Sequence, residues 1–307
     1  MTTRWTFVLI LAVLGAGWGI TQPLAKLAVS TGYRAPGLVF WQFVVGIVVL
    51  GAITYGQGKR LPWGRPQFGL YVMVAFIGTI LPNSASYEAI RHVPSGLVSI
   101  LLSTVPMLAF PVALFLGVDR FSLMRLAGLA CGLAGVLLIV APEASLPDRA
   151  MLAFVPLALV APFFYALEGN LLAKLGMQGL DAVQLLLGAS VVGAVFAAPI
   201  ALATGTFISP LPPYGIADFS LVASGVVHGL VYATYFWLVA RAGPVFAVQV
   251  SYLVTGFGVF WAKLILDESY SVWIWAAMAL MFVGVFLVQP RPNASVASGP
   301  GKAHAEG

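Results

Sequence analysis

Three polar or aromatic side chains recur every four residues in an otherwise apolar stretch, at Thr79, Asn83 and Tyr87. A second apolar stretch carries His228 and Tyr232 at the same spacing. Residues four apart lie on one face of an α-helix, so each set forms a stripe. Hydroxyl, amide and imidazole groups can orient the polar groups of a small molecule, while aromatic rings cover its apolar part. The chemistry that these residues offer is therefore the binding of an amphipathic solute.

Four more apolar stretches carry residues of the same types. The candidate binding residues are Trp18, Gln22, Thr79, Asn83, Tyr87, Ser99, Ser103, Phe164, Glu168, His228, Tyr232 and Tyr252. Each has an alternative role, because Ser, Thr and Gln often join helices without contacting a ligand, and Trp and Tyr often lie at the membrane surface. Glu168 is either a cavity carboxylate or a structural, hydrogen-bonded acid. His228 is either a titrating group or a neutral hydrogen-bonding side chain.

The stretches that carry these residues are too apolar for a soluble protein. Of the 307 residues, 61% are hydrophobic and 8% are charged, against about 45–50% and about 25% in an average chain. A membrane-spanning helix needs about 20 mainly apolar residues. We therefore predict an all-α integral membrane protein with ten transmembrane helices and a disordered cytoplasmic tail at 290–307. The predicted spans are 5–26, 36–55, 67–89, 93–117, 122–141, 151–174, 182–204, 216–239, 243–265 and 271–289.

Lys and Arg residues set the predicted orientation. With ten crossings, ten of the 15 Lys and Arg residues fall on the side of the two termini and five fall on the other side. Cytoplasmic loops carry the excess of Lys and Arg, so both termini are predicted in the cytoplasm. We expect a multi-pass protein of the cell inner membrane.

The two halves of the chain resemble each other. The matching pairs include Asp119 and Glu268 and Gly135 and Gly284 at an offset of 149, and Lys26 and Lys174 at an offset of 148. We predict two five-helix repeats, residues 1–141 and 150–289. Because five is odd, the second repeat enters the membrane from the opposite side, which makes an inverted repeat. The alternative is a chance alignment of helices with similar composition. Chance does not account for the match of Asp119 to Glu268 at the same offset as the match of Gly135 to Gly284.

Several motifs along the chain resemble those of the drug/metabolite transporter superfamily, over about residues 5–289. They are Gly17-Trp18-Gly19 followed by Lys26, Leu116-Gly117-Val118-Asp119-Arg120-Phe121-Ser122, Gly128…Gly132…Gly135-Val136 and Leu266-Asp267-Glu268-Ser269. Within the superfamily the sequence is most similar to ten-helix EamA-type exporters, and among these to bacterial exporters of aromatic and other neutral amino acids. The chain departs from the family pattern at Asp119, where Glu is usual, and in the sixth helix, which lacks a clear WG.

This resemblance implies a secondary active transporter that exports amino acids by alternating access. Drugs, purines or other small metabolites are the alternative substrates. No Arg lies in the interior of a predicted span, away from its ends, which disfavours a phosphate or nucleotide-sugar site that needs a bidentate guanidinium. The expected partners are a small-molecule substrate and the lipid bilayer, with no nucleic acid, and the expected assembly is a monomer.

Other function classes fit the sequence less well. Ser190 and His228 superficially suit an intramembrane serine–histidine enzyme, but Ser190 lies in an apolar helix without a visible oxyanion-hole loop. The chain has no Walker A motif, and its single cysteine, Cys131, offers no cysteine-based metal cluster. A channel would need rings of like charge or a filter loop. We predict no enzyme activity, no cofactor and no metal.

Overall fold

The computed structural model of the protein describes residues 2–142, 145–242, 244–247 and 249–288. Every regular element within these residues is a helix, which confirms the all-α class. The predicted tail at 290–307 lies outside the described residues. The α-helices are α1 (Thr2–Val29), α2 (Ala35–Gly56), α3 (Arg65–Met73), α4 (Leu81–His92), α5 (Ser95–Leu102), α6 (Val105–Phe115), α7 (Leu123–Val140), α8 (Val155–Ala158), α9 (Val160–Leu175), α10 (Ala182–Ala203), α11 (Ile216–Ala242), α12 (Pro244–Ala247), α13 (Val250–Leu266) and α14 (Val272–Val288).

Eight stretches of helix in the described chain are long and apolar enough to cross a membrane. They are Trp5–Val29, Ala35–Gly56, Arg65–His92, Ser95–Phe115, Leu123–Val140, Arg149–Leu175, Ala182–Ala203 and Ile216–Tyr235. Two shorter apolar helices follow, Val250–Leu266 and Val272–Val288. Each predicted span overlaps one of these ten segments.

At least four of the predicted spans are less regular than a single α-helix. One of them, 243–265, contains α12 and α13 with a turn at Gln249 before α13. A π-helix at Val74–Ile80 joins α3 to α4, the fourth span is broken between α5 and α6, and a 3₁₀-helix at Arg149–Phe154 precedes α8 and α9. Proline explains the π-helix, because Pro82 has no amide hydrogen to donate to the preceding turn. The predicted α-helical stripe is therefore wrong at Thr79, which lies in the π-helix, whereas Asn83 and Tyr87 lie in α4.

The loops meet in two groups at opposite ends of the bundle. At the first, the Glu268 end (residues 30–34, 93–94, 204–215 and 267–271), the Tyr33 hydroxyl donates to Asp218 at 2.8 Å and the Ser95 amide donates to Glu268 at 2.7 Å. At the second, the Asp181 end (residues 57–64, 116–122 and 176–181), the Lys59 ammonium pairs with Asp181 at 2.6 Å. Spans that follow one another therefore run in alternating directions.

Small residues bring α7 and α14 into close contact. A Cβ atom on Gly128 would lie 2.8 Å from the Gly284 carbonyl oxygen, and one on Gly135 would lie 2.9 Å from Met281. Met107 of α6 covers Gly132 so closely that a Cβ there would overlap its sulfur. We name this contact between α7, α14 and Met107 the glycine seam.

Candidate functional site

Four aromatic rings gather where α1 meets α11. The Trp18 ring centroid lies 5.3 Å from that of Tyr235, 5.8 Å from that of Tyr232 and 6.4 Å from that of His228. The His228 and Tyr232 centroids are 5.7 Å apart. These distances are in the range of favourable ring contacts. We name Trp18, His228, Tyr232 and Tyr235 the aromatic cluster.

The glycines that flank Trp18 explain how α1 reaches this position. A Cβ on Gly17 would lie 2.6 Å from Val231 Cγ2 of α11, and one on Gly19 would lie 2.8 Å from the Gly258 backbone nitrogen of α13. Only residues without a side chain allow such a close approach on both faces. The Gly-Trp-Gly sequence therefore inserts α1 between α11 and α13 and places the indole against α11.

A chain of hydrogen bonds joins α2, α4 and α9. The Tyr165 hydroxyl donates to Asn83 Oδ1 at 2.6 Å, and Asn83 Nδ2 donates to Gln42 Oε1 at 2.9 Å. The Tyr87 hydroxyl also donates to Gln42 Oε1, at 3.3 Å. We name these four residues the Gln42 network. In this network the side-chain oxygen of Gln42 accepts hydrogen bonds from Asn83 and from Tyr87. The amide nitrogen of Gln42 therefore points away from both residues.

Glu168 links the network to the aromatic cluster. Its carboxylate packs where a Cβ on Gly78 would be, and it interacts electrostatically with Tyr165 and Tyr232. None of the ion pairs among the described residues includes Glu168. The aromatic cluster, the Gln42 network and Glu168 together form what we name the central site. It presents one carboxylate, amide groups and aromatic faces from α1, α2, α4, α9 and α11.

Two predicted binding residues lie in helix packing. Ser99 and Ser103 are buried, and their hydroxyls donate back to the carbonyls of Ser95 and Ile100 within the same span, at 3.3 and 2.6 Å. Ser99 also faces Gly258 so closely that a Cβ on that glycine would overlap its hydroxyl. These contacts correspond to the alternative role, in which a hydroxyl joins helices.

Tyr252 and Phe164 make ring contacts outside the aromatic cluster. The Tyr252 ring contacts Phe282 of α14 at 5.7 Å, and its buried hydroxyl has no hydrogen-bonding partner among the described residues. The Phe164 ring contacts its neighbour Phe163 at 5.6 Å. Gln22 is half-buried one turn beyond Trp18. The contacts of the central site thus include the predicted residues Trp18, Asn83, Tyr87, Glu168, His228 and Tyr232.

The prediction missed two members of the Gln42 network. Gln42 is the only amide or charged side chain between Ala35 and Gly56, and a lone amide in such an apolar helix is itself a signal of function. Tyr165 lies three residues before Glu168 and therefore on its face of α9. Its neighbour Phe164 lies four residues before Glu168, and the prediction named Phe164 because of that spacing. No three His, Cys, Asp or Glu residues of the described chain come together as metal ligands.

Comparison with known proteins gives the family. The sequence profile of the EamA-like transporter family matches residues 4–141 and again residues 152–289. "Uncharacterized transporter YoaV" of Bacillus subtilis (strain 168) is 24% identical over 88% of this chain and 92% of its own. "Uncharacterized transporter YvbV" of the same organism is 24% identical over 95% of this chain and 94% of its own.

More distant similarity extends to plants and to a solved structure. "WAT1-related protein At5g47470" of Arabidopsis thaliana is 26% identical over 82% of this chain and 76% of its own. One crystal structure, at 16% identity, shares the fold with a TM-score of 0.63 over 92% of this chain and 96% of its own. Since the family profile covers both halves of an all-helical chain with many membrane-spanning segments, the protein belongs to the EamA-like transporter family of membrane transporters.

Proposed function

We propose that the protein is a secondary carrier that exports neutral amino acids, aromatic ones included, across the inner membrane by alternating access. The observation that carries the proposal is the Glu168 carboxylate, which lies between the aromatic cluster and the Gln42 network without a basic partner in the described chain. A carboxylate inside a membrane protein is costly unless a cation compensates it. The ammonium group of a solute supplies that cation.

The aromatic cluster suits the rest of such a solute. Trp18 and Tyr232 offer faces that attract an ammonium group through the ring quadrupole and pack against an apolar side chain. Because the Gln42 oxygen accepts from Asn83 and Tyr87, the amide nitrogen of Gln42 is a group of the network that can donate to a solute carboxylate. The arrangement thus offers one group for each end of a zwitterion.

The architecture in this proposal is the predicted inverted repeat of ten helices. The central site draws α1, α2 and α4 from residues 1–141 and α9 and α11 from residues 150–289, so rocking of one repeat against the other would expose it to each side in turn. The Asp181 end would face the cytoplasm, because its loops carry more of the Lys and Arg residues. The solute then enters from the Asp181 end and leaves at the Glu268 end.

Export of organic cations, as with many drugs, is the second candidate. Glu168 and the aromatic cluster would bind any compact ammonium compound, with or without a carboxylate. The two candidates differ in whether the Gln42 network must contact an anionic group. A substrate that lacks the carboxylate separates them.

Counterflow with three matched solutes tests both candidates. The purified protein is reconstituted in proteoliposomes loaded with phenylalanine, phenethylamine or 3-phenylpropionate, and uptake of the same labelled solute is measured. We expect trans-stimulated uptake of phenylalanine alone. Equal uptake of phenethylamine would favour the cation exporter. If 3-phenylpropionate is carried as well as phenylalanine, the role of Glu168 is contradicted, and absence of trans-stimulation for every solute in a wider metabolite panel would overturn the carrier.

A further inference from the structure

Glu268 holds the two halves of the molecule together at one end. Its Oε1 accepts hydrogen bonds from the Ser95 backbone amide at 2.7 Å and the Ser95 hydroxyl at 2.8 Å. Its Oε2 accepts from the Gly96 backbone amide at 3.1 Å and the Tyr270 hydroxyl at 2.6 Å. The carboxylate thus binds the first amides of α5, which belongs to the first half, while Glu268 and Tyr270 belong to the second.

Lys26 binds the end of α4, the helix that precedes α5 in the chain. Its ammonium donates to the carbonyls of Ile90 at 2.6 Å, Val93 at 3.0 Å and Arg91 at 3.3 Å, where α4 ends. The end of α4 therefore carries a cation and the start of α5 carries an anion, as the helix dipoles favour. Lys26 and Glu268 also interact electrostatically and line one cavity of about 510 Å³.

Tyr270 fits this arrangement closely. A Cβ on Gly96 would overlap the Tyr270 hydroxyl, so the tyrosine is seated directly on the start of α5. Burial, and then the hydrogen bond to Glu268, raise the pKa of the Tyr270 phenol. The phenol therefore stays protonated at neutral pH and remains a donor to the carboxylate.

The equivalent residues at the opposite end are arranged differently. Asp119, which matches Glu268 in the repeat, pairs with Arg125 and accepts from the Arg120 amide at 2.7 Å, both within its own half. Lys174, which matches Lys26, donates to the Leu116 carbonyl at 3.1 Å. At this end the bonds across the two halves come from Lys174 and from the Lys59–Asp181 pair, and the acidic residue Asp119 bonds to its own half. At the other end Glu268 itself bonds across the two halves.

We propose that Glu268, Tyr270 and Lys26 form a latch that closes the Glu268 end and opens once in each transport cycle, and that Asp119 is the released counterpart at the Asp181 end. This inference rests on the alternating-access carrier proposed above. Rocking of the halves separates Glu268 from α5, because the two lie in different halves. Release of Asp119 from Arg125 frees a carboxylate to form the equivalent contact at the other end. The structure is then a state closed at the Glu268 end.

Thiol labelling from each side of the membrane tests the latch. The reporter is a Gly256→Cys substitution in a Cys131→Ser background, because a Cβ on Gly256 of α13 meets no atom within 4 Å and the new side chain should leave the packing unchanged. A membrane-impermeant maleimide is added to vesicles of each orientation, and the ratio of labelling from the Glu268 end to labelling from the Asp181 end is measured.

Glu268→Gln and Tyr270→Phe weaken the latch to different extents. We expect Glu268→Gln to raise the labelling ratio about fivefold or more and Tyr270→Phe to raise it by about twofold, in line with the number of hydrogen bonds weakened. Arg125→Ala, which frees Asp119, should lower the ratio. The matched control is Glu88→Gln, which removes a carboxylate at the same end whose ion-pair partners, Arg34, Arg91 and His92, all lie in the first half. It should leave the ratio unchanged.

The outcomes separate the latch from the carrier. If the wild-type protein shows counterflow while Tyr270→Phe and Glu268→Gln label like Glu88→Gln, the latch is overturned and the carrier stands. If labelling shifts as expected while no solute shows counterflow, the proposed carrier fails, and only the closure of the Glu268 end by these contacts stands. Should Glu268→Gln not fold, Tyr270→Phe and Ser95→Ala decide the question, because each removes only one hydrogen bond to the carboxylate.

Discussion

The glycine seam and the central site lie in the same bundle and are built from opposite kinds of residue. In the seam, a Cβ on Gly128 would lie 2.8 Å from the Gly284 oxygen, so the helices meet almost at their backbones. In the central site, whole aromatic rings separate the helices, with centroids 5.3 to 6.4 Å apart. Close backbone contact leaves no room for a solute, whereas a wall of rings and amides can bind one. Substitutions in the seam should therefore impair folding, and substitutions in the central site should impair transport.

The largest effect is expected from Gly132→Leu in the glycine seam. The new side chain overlaps the Met107 sulfur, and overpacking of this kind costs about 3 kcal/mol at the upper end of its usual range. We expect a clearly lower melting temperature in detergent and poor yield of folded protein. The control is Gly69→Leu, since Gly69 is exposed on α3 and a Cβ there meets nothing within 4 Å. A Gly132→Leu protein that melts like the control would contradict the packing role of the seam.

Glu168→Gln should have the opposite effect, on transport and not on folding. The substitution keeps the shape of the side chain. It removes the negative charge that we propose binds the ammonium group of the solute. Hydrogen bonds to charged groups are worth about 1.5–3 kcal/mol, so counterflow should fall by roughly tenfold to a hundredfold. The melting temperature should stay the same or rise, because an unpaired charge leaves the interior. Wild-type counterflow in this variant would show that Glu168 is a structural acid.

Tyr232→Ala and Trp18→Ala test the aromatic wall. Loss of either ring should weaken apparent substrate affinity by about tenfold, measured per folded protein, because ring contacts contribute about 0.5–1.5 kcal/mol beyond buried area. Removal of a buried aromatic side chain also costs roughly 3–5 kcal/mol of stability. Tyr232→Phe and Trp18→Phe keep most of the packing and are the controls. Unchanged affinity in both alanine variants would exclude these rings from the site.

Asp181 lies outside both the glycine seam and the central site. Its substitution should have the smallest effect on the stability of the protein. It caps α10 by accepting from the Gln184 amide at 2.8 Å. Partial burial alone would raise its pKa, but the hydrogen bonds from Lys59 and from the Gln184 amide outweigh this and lower the pKa. Asp181→Ala should cost about 1 kcal/mol at pH 7 with transport per folded protein unchanged.

The lowered pKa of Asp181 also gives the sign of the pH dependence. The stabilisation from the ionised carboxylate is present above the pKa of the unfolded state and is lost as the pH falls through the folded value. The difference in melting temperature between wild type and Asp181→Ala should therefore narrow below about pH 4. Asp181→Asn, which keeps an N-capping side chain, should lose less stability than Asp181→Ala at neutral pH. A difference that grows in acid would contradict this assignment.

Much of the central site follows from stripes in the sequence. Trp18, His228 and Tyr232 were predicted from polar and aromatic residues in apolar helices, and the structure brings their rings together. Periodicity gives the face of a helix on which a residue lies, but not the neighbour that the face meets. For this reason the prediction included Ser99, which lies in helix packing, and omitted Gln42, which accepts two hydrogen bonds in the Gln42 network.

The sequence by itself determined the class of protein, the spans and the family. These follow from local rules, since each span must satisfy its own backbone hydrogen bonds and must be apolar over about 20 residues. Only the tertiary structure decided which polar groups meet, because small differences in helix rotation and the π-helix at Val74–Ile80 change which side chains face each other. It also decided that Glu268 bonds across the two halves while Asp119 bonds within its own. The two acids lie in the two segments that match the family profile, but their neighbours differ: Asp119 pairs with Arg125, whereas Glu268 accepts from Ser95, Gly96 and Tyr270.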